Sequence, residues 1–225
     1  MNSIAIMLAS SLLAGYIGQA MPLSSAWDAT FARHRGRIPV PFLRALAKKE
    51  SNFNPGENEP PALGLLQVVP EVREGYNKRK GTSYAREDLF NPDINAAIAS
   101  DLLNRIVIAF GKHPSPNMQE DWRNPEFVKL LLAGWNSGYS EAGGVGRVAS
   151  FLEARGMPVT HDSVFANAAA AGATKHLSNA SKKAWQRTVA DLYFAQPDAF
   201  RSSGGSVIIA ATTAILAGLL IARYL

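Results

Sequence analysis

The sequence predicts a mainly α-helical protein. Three observations carry that reading. Apolar side chains recur at helical spacing through the middle of the chain. Alternating Val, Ile and Thr runs that would mark strands are scarce. Two Asn-Pro-acid triplets head apolar periodic stretches. The 225 residues are 47% apolar and 18% charged, with no cysteine. That suits one ordinary domain with short appendages and excludes disorder as the dominant state. It also excludes a disulfide framework, a thiolate metal site and a cysteine nucleophile.

The first 23 residues form an apolar segment, and no charged side chain precedes Asp28. Ile4 to Gly18 is apolar, and Gly18-Gln19-Ala20 resembles a small-residue cleavage site, but no Lys or Arg forms a positive n-region. A signal peptide, an uncleaved membrane helix and a helix packed inside a larger assembly all stay open. Residues 24–200 form the charged middle. From Asp28 to residue 200 they hold 21 basic and 18 acidic residues, a net +3, too mild to argue for nucleic acid.

Within that middle, Leu43, Leu46 and Ala47 set one face of a helix from Val40 to Asn52, with Pro41 tolerated in its first turn. A long loop is expected over 53–70. Asn91-Pro92-Asp93 supplies a cap, a proline at the first helical position and an acid at the positive end of the dipole. Ile94, Ala97, Ile98, Leu102 and Ile106 continue that helix to Gly111. A loop over 111–124 leads to Asn124-Pro125-Glu126, which starts a helix through Leu131 and Trp135, stopped by Gly138. Gly143-Gly144-Val145-Gly146 reads as a turn before a helix from Arg147 to Arg155. The last middle helix runs from Asn179 to Ala195, with Trp185, Val189 and Leu192 on one face, and Pro197 blocks its continuation.

Residues 201–225 read as a Ser-Gly joint followed by a transmembrane helix. The 17 uncharged residues 206–222 reach roughly 25 Å, at the short end for a bilayer span, and Arg223 and Tyr224 suit a headgroup boundary. A buried core helix is the alternative.

Glu50 breaks the pattern. It continues the apolar stripe of Leu43, Leu46 and Ala47 by i+3 and i+4. Burial there would raise its pKa, and a carboxylic acid still protonated near neutral pH is what a general acid must be. On the helix alone, a boundary residue exiting to solvent or paired with Lys or Arg stays open.

Glu50 is followed by Ser51-Asn52-Phe53-Asn54-Pro55, then Gly64-Leu65-Leu66-Gln67, Asn91-Pro92-Asp93-Ile94-Asn95 and Ala133-Gly134-Trp135-Asn136-Ser137-Gly138. In this order the four blocks resemble the soluble-lytic-transglycosylase-type (SLT) domain, marked by E-S-x-F-x-P, G-L-M-Q, N-P-x-x-N and A-Y-N-A-G. The resemblance covers roughly residues 38 to 195. It implies a goose-type-lysozyme-like fold with a groove for peptidoglycan glycan strands and a single essential carboxylate, here Glu50. That residue would give its proton to the MurNAc–GlcNAc glycosidic oxygen. It would then deprotonate the muramoyl C6 hydroxyl, leaving a 1,6-anhydro sugar without any second carboxylate. By the same resemblance Ser51, Gly64, Gln67, Trp135 and Asn136 would serve substrate binding. As alternatives, Gln67 serves as a loop hydrogen-bonder, Asn91 as a cap and Asn95 as a brace. The family's Tyr is Trp135 here, which offers only an N–H donor, and a second Tyr expected in the last helix is Trp185. The Glu50–Gln67 stretch is about one residue short by the resemblance, with Pro60-Pro61-Ala62 in place of a Ser- and Gly-containing turn.

No Walker A motif, G-x-S-x-G elbow or metal-ligand spacing among His34, His113, His161 and His176 is present, and surface or loop roles are expected for these histidines. No metal and no cofactor is expected. The basic clusters at 33–37 and 78–80 read as solvated faces, with anionic lipid or wall polymer as the alternative partner. The expected partners are peptidoglycan, a lipid bilayer, and components of a phage particle or secretion machine, with the active domain facing the periplasm or wall. A hydrolytic muramidase on the same fold, or a structural envelope or virion protein with a weakened domain, are the rivals.

Overall fold

The computed structural model describes residues 23–199; the apolar helices expected at the two ends lie outside them. Among the described residues there are eight α-helices: α1 Asp28–His34, α2 Val40–Ser51, α3 Pro70–Lys80, α4 Pro92–Phe110, α5 Pro125–Ser137, α6 Val145–Glu153, α7 His161–Asn167 and α8 Ala180–Phe194. None of them is long and apolar enough to cross a membrane. A small antiparallel hairpin lies between α2 and α3. Its strands are β1 (Asn58–Glu59) and β2 (Ala62–Leu63), with Glu59 opposite Ala62.

The two Asn-Pro starts behave as their chemistry dictates. Asn91 accepts from the backbone N–H of Asp93 and Ile94, and Asn124 from that of Glu126. Helices α2, α6 and α8 match their expected spans to within about two residues. The core is one cluster in which α5 packs on α4 and α8, α2 on α8, and α1 on α4. Its largest fully buried side chains include Phe31, Phe42, Phe110, Phe127 and Tyr193.

Arg44 is buried within α2 and closes the bundle. It donates to Asp28 at 2.7 and 2.9 Å, to Asp198 at 3.1 and 2.7 Å and to Gln196 at 2.7 Å. The chain on either side of α2 and α8 is thereby tied to a single guanidinium, whose planar fork suits two carboxylates at once.

Helices α1, α3 and α7 and the hairpin were not expected from the sequence. Helix α3 buries no residue fully; Val72 and Tyr76 pack against the core, too few for an apolar stripe to show. Much of the basic character is internally paired: Arg33 and His34 meet Asp93, Arg37 meets Glu120, and Arg79 and Lys80 meet Asp101.

Candidate active site

Glu50 sits in the last turn of α2, which ends at Asn52 in a left-handed conformation (φ 53°). It lines a cleft of about 400 Å³ together with Gln67, Trp135, Asn136 and Lys182. The hairpin adds Glu59, Pro60, Pro61 and Ala62 to the wall. Four of the six site residues read from the sequence therefore share one cavity.

The contact at its centre is Trp135 Nε1–H donating to Glu50 Oε1 at 2.8 Å. Glu50 is partly exposed as a residue, but its carboxyl group has lost most of its hydration. That loss is the largest influence on its proton affinity and outweighs the opposing Trp135 hydrogen bond. The negative charge of Glu59 also raises the pKa, while Lys182 and Lys49 lower it. The balance pushes the Glu50 carboxyl up to about 7 from an ordinary 4.5. Where the resemblance leads to a tyrosine, the Trp135 indole supplies an N–H donor, which favours the ionised acid and offsets part of the rise caused by lost hydration.

Gln67 ends the tight turn from Gly64 and has a positive φ of 46°, a costly conformation for a residue with a side chain. Its Nε2–H donates to Gly64 O at 2.8 Å and Glu57 O at 3.4 Å, which fixes the amide orientation, since an oxygen there would face two carbonyls. Its Oε1 is buried and accepts no hydrogen bond from the protein. An unmet buried acceptor costs about 1–3 kcal/mol.

Ser51 and Gly64, by contrast, do not line the cleft. Ser51 is buried, and its hydroxyl donates to Leu65 O at 2.8 Å. Gly64 has φ +78°, and a Cβ there would lie 2.1 Å from Leu89 O, so the close approach is to the protein's own backbone. Asn95 holds the same turn. Its Oδ1 accepts from Leu66 N–H at 2.8 Å, and its Nδ2 donates to Leu63 O and Leu89 O at 2.9 Å each. Ser51, Gly64 and Asn95 thus position Gln67 from behind, and Asn91 is a helix cap.

Asn136 is held rather than free. Its Oδ1 accepts from Gln186 at 3.0 Å, and its backbone carbonyl accepts from Lys182 Nζ at 2.7 Å. Gln186 is fully buried and in turn meets His161 Nε2 at 2.7 Å. One of the four histidines departs from the surface or loop role expected of it: His161 opens α7 and is buried against Gln186, whereas His113 lies in a loop, buried between Glu141 and Glu153. Trp185 packs against the core, and α8 presents Lys182 to the cleft instead. Sequence reasoning missed Lys182 and Glu59. A lysine in the first turn of a helix, against the dipole, was the available signal for Lys182.

Residues 29–147, 119 of the 225, match the family described as "Transglycosylase SLT domain". The chain belongs to the SLT transglycosylase family. No curated protein sequence matches it. Among solved structures, the SLT domain here is similar to the 70-kDa soluble lytic transglycosylase SLT70 from Escherichia coli. The two are 18% identical with a TM-score of 0.54, over 80% of this chain and 26% of that one. A complex of the 70-kDa soluble lytic transglycosylase with bulgecin A gives 19% identity and a TM-score of 0.53, over 76% of this chain and 24% of that one. An inactive glutamate-to-glutamine mutant of lytic transglycosylase Slt from Pseudomonas aeruginosa gives 18% and 0.51, over 76% and 24%. At such identity the likeness is one of fold, and this SLT chain aligns with about a quarter of the length of those proteins.

Proposed function

We propose that this SLT protein is a peptidoglycan lytic transglycosylase cutting the β-1,4 bond between N-acetylmuramic acid and N-acetylglucosamine. The observation that carries the reading is the placement of the Glu50 carboxyl, which lines the cleft and accepts from Trp135 Nε1–H at 2.8 Å, where loss of hydration pushes it up to about 7. Family membership and the fold shared with lytic transglycosylases support it. Glu50 gives its proton to the glycosidic oxygen as the bond to muramoyl C1 breaks. The carboxylate left behind is favoured by the Trp135 N–H and the Lys182 charge. It then takes the proton of the muramoyl C6 hydroxyl as that oxygen closes on C1. Glu50 ends protonated, the sugar ends as a 1,6-anhydro ring, and no water is consumed.

Gln67 Oε1 is the acceptor for a sugar N–H or O–H, which would satisfy the one polar atom of that amide left unmet. Asn136, braced by Gln186, fixes the wall beside Trp135. The two apolar ends of the sequence support a setting beside a membrane, facing the periplasm or wall. Local wall opening by a phage particle or by a secretion or conjugation apparatus is the role we assign.

The test is muropeptide mass spectrometry on purified peptidoglycan treated with the full chain. Anhydro-muramoyl ends are expected from the parent and none from Glu50→Gln of unchanged circular dichroism. A Glu50→Gln variant as active as the parent refutes the reading.

A further inference from the structure

The cleft holds a second carboxylate that the family resemblance does not require. Glu59 ends β1 and lines the same cavity as Glu50. The two acids sit in opposite surroundings. The Glu50 carboxyl is dehydrated, whereas Glu59 is exposed on the hairpin, and among the described residues no ion pair or hydrogen bond engages its carboxylate. Glu59 is near enough for its charge to be felt at Glu50. Glu59 directly precedes Pro60-Pro61-Ala62, which stand where the resemblance leads to a Ser- and Gly-containing turn, and all four residues line the cleft.

One dehydrated acid and one exposed carboxylate lining the same cleft are the two kinds of group that enzymes turning over water use. We propose that Glu59 is a general base for water, so that the protein releases hydrolysed, reducing-end glycan alongside the anhydro product. The proposal rests on Glu50 as the acid. After Glu50 has protonated the leaving oxygen, muramoyl C1 is electron-poor and two nucleophiles compete for it. The sugar's own C6 hydroxyl gives the anhydro ring. Alternatively, a water beside Glu59 forms the C1–O bond while its proton passes to the Glu59 carboxylate. Glu59 then returns that proton to solvent, and Glu50 takes one back. One water is consumed, and nothing is oxidised or reduced. Without a base, water is a weak competitor for C1; a positioned base raises its rate by roughly 10²-fold or more.

The experiment digests purified peptidoglycan with the full chain in ¹⁸O-labelled water and reads the ratio of labelled reducing ends to unlabelled anhydro ends. The parent is expected to yield both. Glu59→Gln should lower the ratio by roughly 10²-fold, and Glu59→Asp should recover part of it. An unchanged ratio in Glu59→Gln, or a parent that makes anhydro ends alone, overturns the base while leaving Glu50 as the acid. Equal loss of both products with a raised KM assigns Glu59 to substrate binding and also overturns it. A parent that makes neither product refutes the Glu50 reading, and this one with it.

Discussion

Replacing Glu50 with Gln removes a proton-linked cost from the folded state, and its size follows from the site. The folded carboxyl titrates at about 7 against an ordinary 4.5. Between those values the folded chain holds a proton that the unfolded chain has released. Stability therefore falls as pH rises through that window. The difference of about 2.5 in pKa corresponds to about 3 kcal/mol, fully retained below pH 4.5 and lost above pH 7. Gln is isosteric, can still accept from Trp135 Nε1–H, and has no proton to lose. The variant should gain on the parent by about 3 kcal/mol between pH 4.5 and 8, or about 6–12 °C in Tm for a domain of this size. Parallel thermal melts of the two chains at pH 4.5, 6 and 8 measure it, since other titrating groups cancel in the difference. A Tm difference that stays flat across that range refutes a dehydrated Glu50.

Other outcomes follow from the same contacts. Trp135→Phe removes a donor worth about 1.5–3 kcal/mol to the ionised acid. The alkaline limb of the pH–rate profile should move up by about one pH unit or more, and Trp135→Tyr should restore it; a limb that stays put contradicts the hydrogen bond's role. Lys182→Met removes a positive charge that favours ionised Glu50, so its alkaline limb should also move upward, by less than in Trp135→Phe. Arg44→Ala leaves Asp28, Asp198 and Gln196 without their shared partner. Because both carboxylates are about a third exposed, the expected loss is about 2–3 kcal/mol, read by urea unfolding.

The helices that were legible in the sequence carry their own punctuation. Asn91-Pro92 and Asn124-Pro125 start α4 and α5, and Gly111 and Gly138 follow their last turns. Helix α3 escaped because none of its residues is fully buried and only Val72 and Tyr76 pack against the core. Helix α7 is only seven residues long and is signalled by a Thr160–Ser163 capping box with Ser in place of the usual acid. The hairpin strands are two residues each, too short for alternation to show. In the site, Glu50 was legible because a carboxylate interrupts an apolar stripe. Gln67, Trp135 and Asn136 came from ordered motifs. Ser51 and Gly64 share those motifs yet serve the turn behind Gln67, a distinction that depends on which way each residue faces and not on spacing. Lys182 and Glu59 reach the cleft from α8 and the hairpin, through chain reversals that no local pattern encodes.

The most direct test is the titration of the Glu50 carboxyl carbon by NMR, assigned by its disappearance in Glu50→Gln. A midpoint near 7 is the expected result. A midpoint at the ordinary value of 4.5 would contradict a proton-bearing acid in the cleft.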